Sequence, residues 1–341
     1  MGRNQYRRNH YISKVYLRGF SLPDNTIFQL NLNEDLKAGK IDKKGLNQIA
    51  FEWDLYTIEK PEYFPEFDLA NDNKYIEKNS FNKIENNLGA VIKKINNGVF
   101  GIEEKQFICD FILLSFTRHP RNLELFKSKY TIQMHNQYLE ENKTDIIKHA
   151  RSHNDFRSFE ELKKSYLEAI KSKEDFQVDK LAKRYLQGTI LNLDLNSEYE
   201  RMKIFRSNAL RTFTIYKSLT GMEFVTSLHP ANSFHPQLGF NKNLLDTSSF
   251  TIPLSKTIVL EIGGKPNIEG AEINAEIVSV DNSFIDFINF TTIQNSLGKA
   301  FGSNRYLLER YATQEFYNQQ INRYKVYTKT TKQKPSKSKS Y

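Results

Sequence analysis

The sequence predicts an α+β fold: a central helical bundle with a mostly antiparallel β-sheet built largely from the C-terminal third. Two observations lead there. Apolar residues recur at three- and four-residue steps across 76–200, and β-branched and aromatic runs gather after residue 201. Helices and strands are thus grouped and do not alternate as in a βαβ chain. A single α+β domain over 1–325 is expected, in three parts (1–75, 76–200 and 201–325), followed by a disordered basic tail at 326–341.

The first part opens with His10-Tyr-Ile-Ser-Lys-Val-Tyr-Leu-Arg-Gly-Phe20. As a short helix it sets His10, Lys14 and Arg18 at i, i+4 and i+8 on one side, while Tyr11, Val15, Tyr16 and Leu17 anchor it to a core. Such a cationic row can grip an anion or carry proton transfer, and it is equally the polar side of an ordinary amphipathic helix. Thr26–Leu32 alternates as a strand and ends in a polar turn region reaching Lys40. Asn47–Ile58 is a second strand or irregular packing around Trp53, closed by Pro61 and Pro65.

In the second part Ser80 is the expected N-cap of a helix carrying Phe81, Ile84, Leu88, Val91, Ile92 and Ile95, stopped by Gly98. Glu103–Arg118 is apolar on most sides and should be the central buried helix, ended or kinked by Pro120. Further amphipathic helices are expected near 121–142, 158–171 and 175–194. In the third part Leu210–Lys217 and Met222–Ser227 flank Gly221 and suggest an antiparallel hairpin, with another strand run at Phe250–Ile262. Ser283–Phe301 returns to helical spacing, and Asn304–Leu308 is a last short strand.

Charge narrows the class of partner. The net charge is +9, but residues 1–20 contribute +5 and 316–341 contribute +7, leaving the body at −3. Any non-specific attraction to phosphate is therefore expected at the two ends and to be salt-sensitive. No apolar run nears the roughly 20 residues of a membrane span. The first residues lack the apolar stretch of a signal peptide, so no membrane association is expected and a cytoplasmic location is. The one cysteine, Cys109, excludes an internal disulfide and sits among apolar residues as a small hydrophobe.

Phosphate-loop, dinucleotide, His-Glu-x-x-His and nucleophile-elbow motifs are all absent, so no cofactor is expected. Four constellations remain. His10/Lys14/Arg18 is the first. Thr117-Arg-His-Pro-Arg121 is the second, where Arg118 and Arg121 either satisfy helix-end carbonyls or reach a phosphate, and His119 is an exposed polar residue. Glu223–Pro230 is the third: as a strand it projects Ser227 and His229 together, the minimum for an activated nucleophile, or simply a surface strand end. Glu85, an acid beside an apolar stripe, is the fourth.

Taken in order, His10-Tyr-Ile-Ser-Lys-x-Tyr-Leu-Arg-Gly-Phe20, Phe81-Asn-Lys-Ile-Glu85, Thr117-Arg118, Phe224-Val-Thr-Ser-Leu-His-Pro230 and Ile252-Pro-Leu-Ser255 resemble the landmarks of the bacterial family called domain of unknown function 4238. The resemblance spans about residues 8–310 and implies the fold and the site positions, not a reaction. One position departs from the family pattern: the Asp that usually follows the Ser is Leu228 here. If that Asp serves as a base or metal ligand in relatives, this chain lacks it.

The inventory points first to an intracellular bacterial effector or toxin-like enzyme acting on nucleic acid, a ribonuclease-type phosphodiesterase. His10 and His229 would trade protons, with Ser227 and Glu85 as further catalytic candidates, while Lys14, Arg18, Arg118 and Arg121 hold phosphate. RNA suits it because the 2′-hydroxyl supplies the nucleophile. An anti-phage defence setting comes from the kind of family, not from the residues. The alternatives are a non-enzymatic sensor or partner-binding module, docking on nucleic acid or an acidic protein, and a divalent-metal nuclease using Glu85, which Leu228 weakens.

Overall fold

The computed structural model describes residues 8–316, leaving aside 33–39, 60, 66, 70–71, 100, 126, 128–130, 173–174, 196–202, 204–205, 236–238, 241–248, 264–274, 297 and 314. The expected tail at 326–341 lies outside the described residues.

Up to Ser13 the N-terminal segment is extended, not helical. Strand β1 (Arg8–His10) ends at the histidine, and Ser13 then caps a five-residue helix α1 (Lys14–Arg18), its Oγ accepting from the Tyr16 N–H at 3.4 Å. The expected single helical row of His10, Lys14 and Arg18 is thereby broken, because His10 belongs to a strand. Its partner is β4 (Phe51–Trp53), paired antiparallel as Arg8↔Trp53, Asn9↔Glu52 and His10↔Phe51. Between them β2 (Thr26–Asn31) and β3 (Ile41–Gly45) form a hairpin.

The helical middle starts earlier than Ser80. A π-helical turn, Ile76–Phe81, runs without a break into α2 (Asn82–Asn96). Ser80 does not cap this helix; its hydroxyl donates to Asp194 Oδ2 at 2.9 Å. Gly98 does stop it, at φ +70°, and an added Cβ there would stand 2.8 Å from Ile277 Cδ1. Helix α3 (Ile102–Thr117) is the central helix expected from its apolar sides, with Cys109 and Ile112 fully buried, and burial pushes the Cys109 thiol up to about 12. Then follow α4 (Pro120–Leu125), α5 (Thr131–Glu141), α6 (Lys143–Ser152), α7 (Phe159–Ser172) and α8 (Asp175–Leu195).

The last third supplies β5 (Thr212–Ser218), β6 (Thr226–Ser227), β7 (Asn232–His235), β8 (Gly239–Phe240), β9 (Ser249–Ser255), β10 (Ile258–Gly263), β11 (Ala275–Val280), α9 (Asn282–Gln294), β12 (Lys299–Gly302) and α10 (Arg305–Tyr311). Six of these strands form one sheet in the order β11-β5-β10-β9-β7-β8, antiparallel except for β11 against β5. A four-stranded sheet, β3-β2-β12-β6, joins the N-terminal hairpin to two late strands.

Three expectations are corrected here. Residues 212–218 and 222–227 do not form a hairpin, since β5 pairs with β10 and β11 while β6 pairs with β12 in the other sheet. Residues 299–302 leave the preceding helix and become β12. Asn304–Leu308 is no strand: Asn304 Oδ1 accepts from the Leu307 N–H at 3.1 Å and starts α10.

One apolar cluster gathers residues from all three parts, among them Tyr16 and Phe20 of the first, Ile108 and Ile190 of the helices, and Phe213, Ile252 and Leu260 of the six-stranded sheet. Tyr16 is the fastener. Its hydroxyl donates to the Pro253 carbonyl at 2.5 Å and contacts Thr226 Oγ1 at 2.8 Å, so α1 is tied to both sheets by one buried ring. A buried ring of this size is worth roughly 1.5–3 kcal/mol from area alone.

Candidate functional site

The β1–β4 ladder decides which side chains meet. Cross-strand partners share a face and neighbours along a strand alternate, so Arg8, His10, Phe51 and Trp53 lie on one face while Asn9 and Glu52 lie on the other. The buried Asn9 side chain is a brace: its Oδ1 accepts from the Tyr56 N–H at 3.0 Å and its Nδ2 donates to Glu77 Oε1 at 3.0 Å. The ladder is thereby fixed to the π-helical turn that carries Glu77.

Behind it stands Arg118, 2% exposed at the end of α3. Its Nε donates to the Tyr11 carbonyl at 2.8 Å and its Nη1 to Glu85 Oε1 at 3.1 Å, and the guanidinium lies 4.9 Å from the Phe81 ring centroid. Tyr56 Oη donates to the Arg118 carbonyl. Arg118 does not satisfy the helix-end carbonyls; the Asn122 side chain does that for Phe116 and Thr117. Buried and paired in this way, the guanidinium orients Glu85 instead of presenting itself to a phosphate.

These elements enclose a cavity of about 470 Å³ lined by Arg8, His10, Lys14, Asn47, Glu77, Phe81, Asn82 and Glu85. Lys14 Nζ donates to Asn47 Oδ1 at 3.2 Å. Burial, reinforced by Lys14 and Arg118, lowers the His10 pKa to about 4 against weaker upward pulls from Glu85 and the Leu46 backbone. The imidazole is therefore neutral at physiological pH. Its Nε2 is out of contact with solvent and has no hydrogen-bond partner. Glu77 moves the other way: burial raises its carboxyl, against the Asn9 hydrogen bond and the Arg118 charge.

Three of the expected site residues, His10, Lys14 and Glu85, come together on this cavity, with Arg118 supporting its wall. Arg18 is exposed and does not line it, and the Arg121 side chain lies outside the described residues. The Ser227–His229 pair is arranged differently from the expected nucleophile and base. Ser227 is fully buried, and its hydroxyl donates to the His229 carbonyl at 2.8 Å while accepting from the His229 N–H at 3.1 Å, a turn brace that does not involve the imidazole. Ser227 therefore does not project from the strand as expected, because Val225 and Ser227 are as buried as Phe224 and Thr226. The His229 ring packs edge-on against Phe116 at 4.4 Å and against His119 at 5.6 Å, and His119 is buried, not exposed.

Glu77, Asn9, Asn47 and Asn82 are not among the residues expected at the site, and Arg8 enters the sequence pattern only as charge. Glu77 carried no clean signal, since eight residues at α-helical spacing leave it roughly 80° around the helix from Glu85. Asn47 and Asn82 carried none. Among the described residues no group of three His, Cys, Asp or Glu side chains is placed to hold a metal ion, and no helix is long and apolar enough to cross a membrane.

Fold and site together define a mixed α/β protein with a charged cavity beneath an N-terminal strand pair. A family model described as "Protein of unknown function (DUF4238)" matches residues 8–306, and the chain belongs to that family. No curated protein and no solved structure matches it.

Proposed function

We propose that this cavity is the centre of a phosphodiesterase that cleaves RNA without a metal ion. One observation carries the reading: the neutral His10 shares a single cavity with two cations, Arg8 and Lys14, and two carboxylic acids, Glu77 and Glu85. A volume of about 470 Å³ lies in the range of small-ligand sites. The His10 Nε2 acceptor is buried and unpaired at a cost of about 1–3 kcal/mol, which a substrate hydroxyl would relieve once the ring turns it into the cavity.

His10 would take the proton of a ribose 2′-hydroxyl, whose oxygen attacks the adjacent phosphorus. The P–O5′ bond breaks, and the leaving oxygen takes a proton from Glu77 in its protonated form. Products are a 2′,3′-cyclic phosphate and a 5′-hydroxyl, so atoms and protons balance. Lys14 and Arg8 offset charge on the phosphoryl oxygens. Glu77 replaces His229 as proton partner because it lines the same cavity and burial favours its neutral form. A phage-defence setting belongs to the proposal and is read from the survival of phage-challenged cells carrying the wild type or His10→Ala.

The test is incubation of purified protein with single-stranded RNA and DNA, each in EDTA and in magnesium. RNA should be cut in both buffers to cyclic-phosphate ends, and DNA should survive. Failure to cut RNA, or equal cutting of DNA, overturns the reading, since the latter needs no 2′-hydroxyl.

A further inference from the structure

We propose that Trp53 is a stacking platform for a base of single-stranded nucleic acid whose backbone enters the His10 cavity; this rests on the phosphodiester reading of that cavity. The row along one face of the ladder is Trp53, Arg8, Phe51 and His10, running from an indole that is 51% exposed to the cavity imidazole. Arg8 is its hinge. The guanidinium centre lies 5.0 Å from the Phe51 centroid and 5.3 Å from the Trp53 centroid, and Nη1 donates to the Asn47 carbonyl at 3.3 Å. Phe51 and His10 continue the row at 5.9 Å between ring centroids.

A lone exposed aromatic needs no explanation, and an arginine stacked on it can be merely structural. What adds a ligand here is the shared wall. Arg8 lines the His10 cavity and also a second one of about 440 Å³, with which Glu77 and Asn82 are shared as well. The second cavity is polar, with Asn73, Lys74 and Lys78 on its lining, Lys78 pairing with Asp72 at 2.7 Å. The two cavities share Arg8, Glu77 and Asn82 and so lie side by side. Interleaved aromatic and basic groups are the surface on which single strands lay bases and backbone. Glu52, the one acid on these strands, is on the opposite face.

Trp53 is the chain's only tryptophan, so its emission reports on this surface alone. The probe is single-stranded DNA of about eight nucleotides, within the usual site sizes and immune to 2′-hydroxyl chemistry. It should quench the indole saturably, whereas poly-glutamate at matched charge should not. By anisotropy of the labelled strand, Trp53→Ala should bind about 5- to 150-fold more weakly, and Trp53→Phe should recover most of the loss. Unchanged emission at saturation, equal quenching by poly-glutamate, or unaltered affinity of Trp53→Ala overturns the platform. Quenching by a protein that cuts no RNA keeps the platform and fails the nuclease; RNA cleavage with silent Trp53 does the reverse.

Discussion

Arg118 Nη1 lies 3.1 Å from Glu85 Oε1, joining the end of α3 to the first turn of α2 across 33 positions of sequence. The same guanidinium holds the Tyr11 carbonyl, so three separated segments meet at one buried charge. Removing a member of a buried pair strands the other, which generally costs more than the pair contributes.

Arg118→Ala should therefore unfold the protein at a lower temperature, with a loss of about 1–3 kcal/mol, because the Glu85 carboxylate it strands is partly exposed. Arg118→Lys should recover only part, because a point charge cannot serve Tyr11 and Glu85 in the geometry of the fork. Chemical denaturation of the two variants reads this. A loss below about 1 kcal/mol for the alanine variant would show that Arg118 does not organise the site.

His10 should titrate near 4 instead of near 6.5. Between those values the unfolded chain binds a proton that the folded one refuses. The imidazole thus contributes stability that is present above about 6.5 and is lost as pH falls through about 4. Glu77, with its carboxyl raised, works in the opposite sense, so the difference between wild-type and His10→Gln stability curves is the readout. Ring-proton NMR locates the same titration directly. Cleavage needs neutral His10 and protonated Glu77, so it should fail as pH falls through about 4 and also decline on the alkaline side as Glu77 ionises.

Ser227→Ala should lose about 1–2 kcal/mol of stability, since the hydroxyl braces the His229 backbone in both directions, and should keep its cleavage rate. Abolished cleavage with unchanged melting would restore Ser227 as a nucleophile.

Removing residues 328–341 deletes five lysines. Melting should not move, while affinity for single strands should fall and the salt dependence flatten by at most about 3–4 in log–log slope. A slope identical to wild type would place all phosphate contacts elsewhere.

The buried α3, the C-terminal strands and the order of the family landmarks were legible because each rests on periodicity or motif within one segment. His10, Lys14, Glu85 and Arg118 were legible as polar, titratable side chains set against apolar anchors. The strand at His10 was not: three residues carry no periodicity, and only pairing with Phe51–Trp53 makes them a strand. The false hairpin at 212–227 has the same origin. Gly221 permits a turn at φ +75°, but β5 finds its partners in β10 and β11, a choice made by long-range packing. Glu77 was hidden because α-helical spacing does not link it to Glu85, and the π-helical turn that carries it departs from that spacing.

The most direct test is RNA cleavage in EDTA by wild type and His10→Ala, with both melting curves recorded. Wild type should cleave without metal, the variant should lose at least a hundredfold in rate, as is typical when a general base is removed, and the two stabilities should agree within about 1 kcal/mol. Equal cleavage by the two proteins, or none by wild type, would contradict metal-free cleavage through His10.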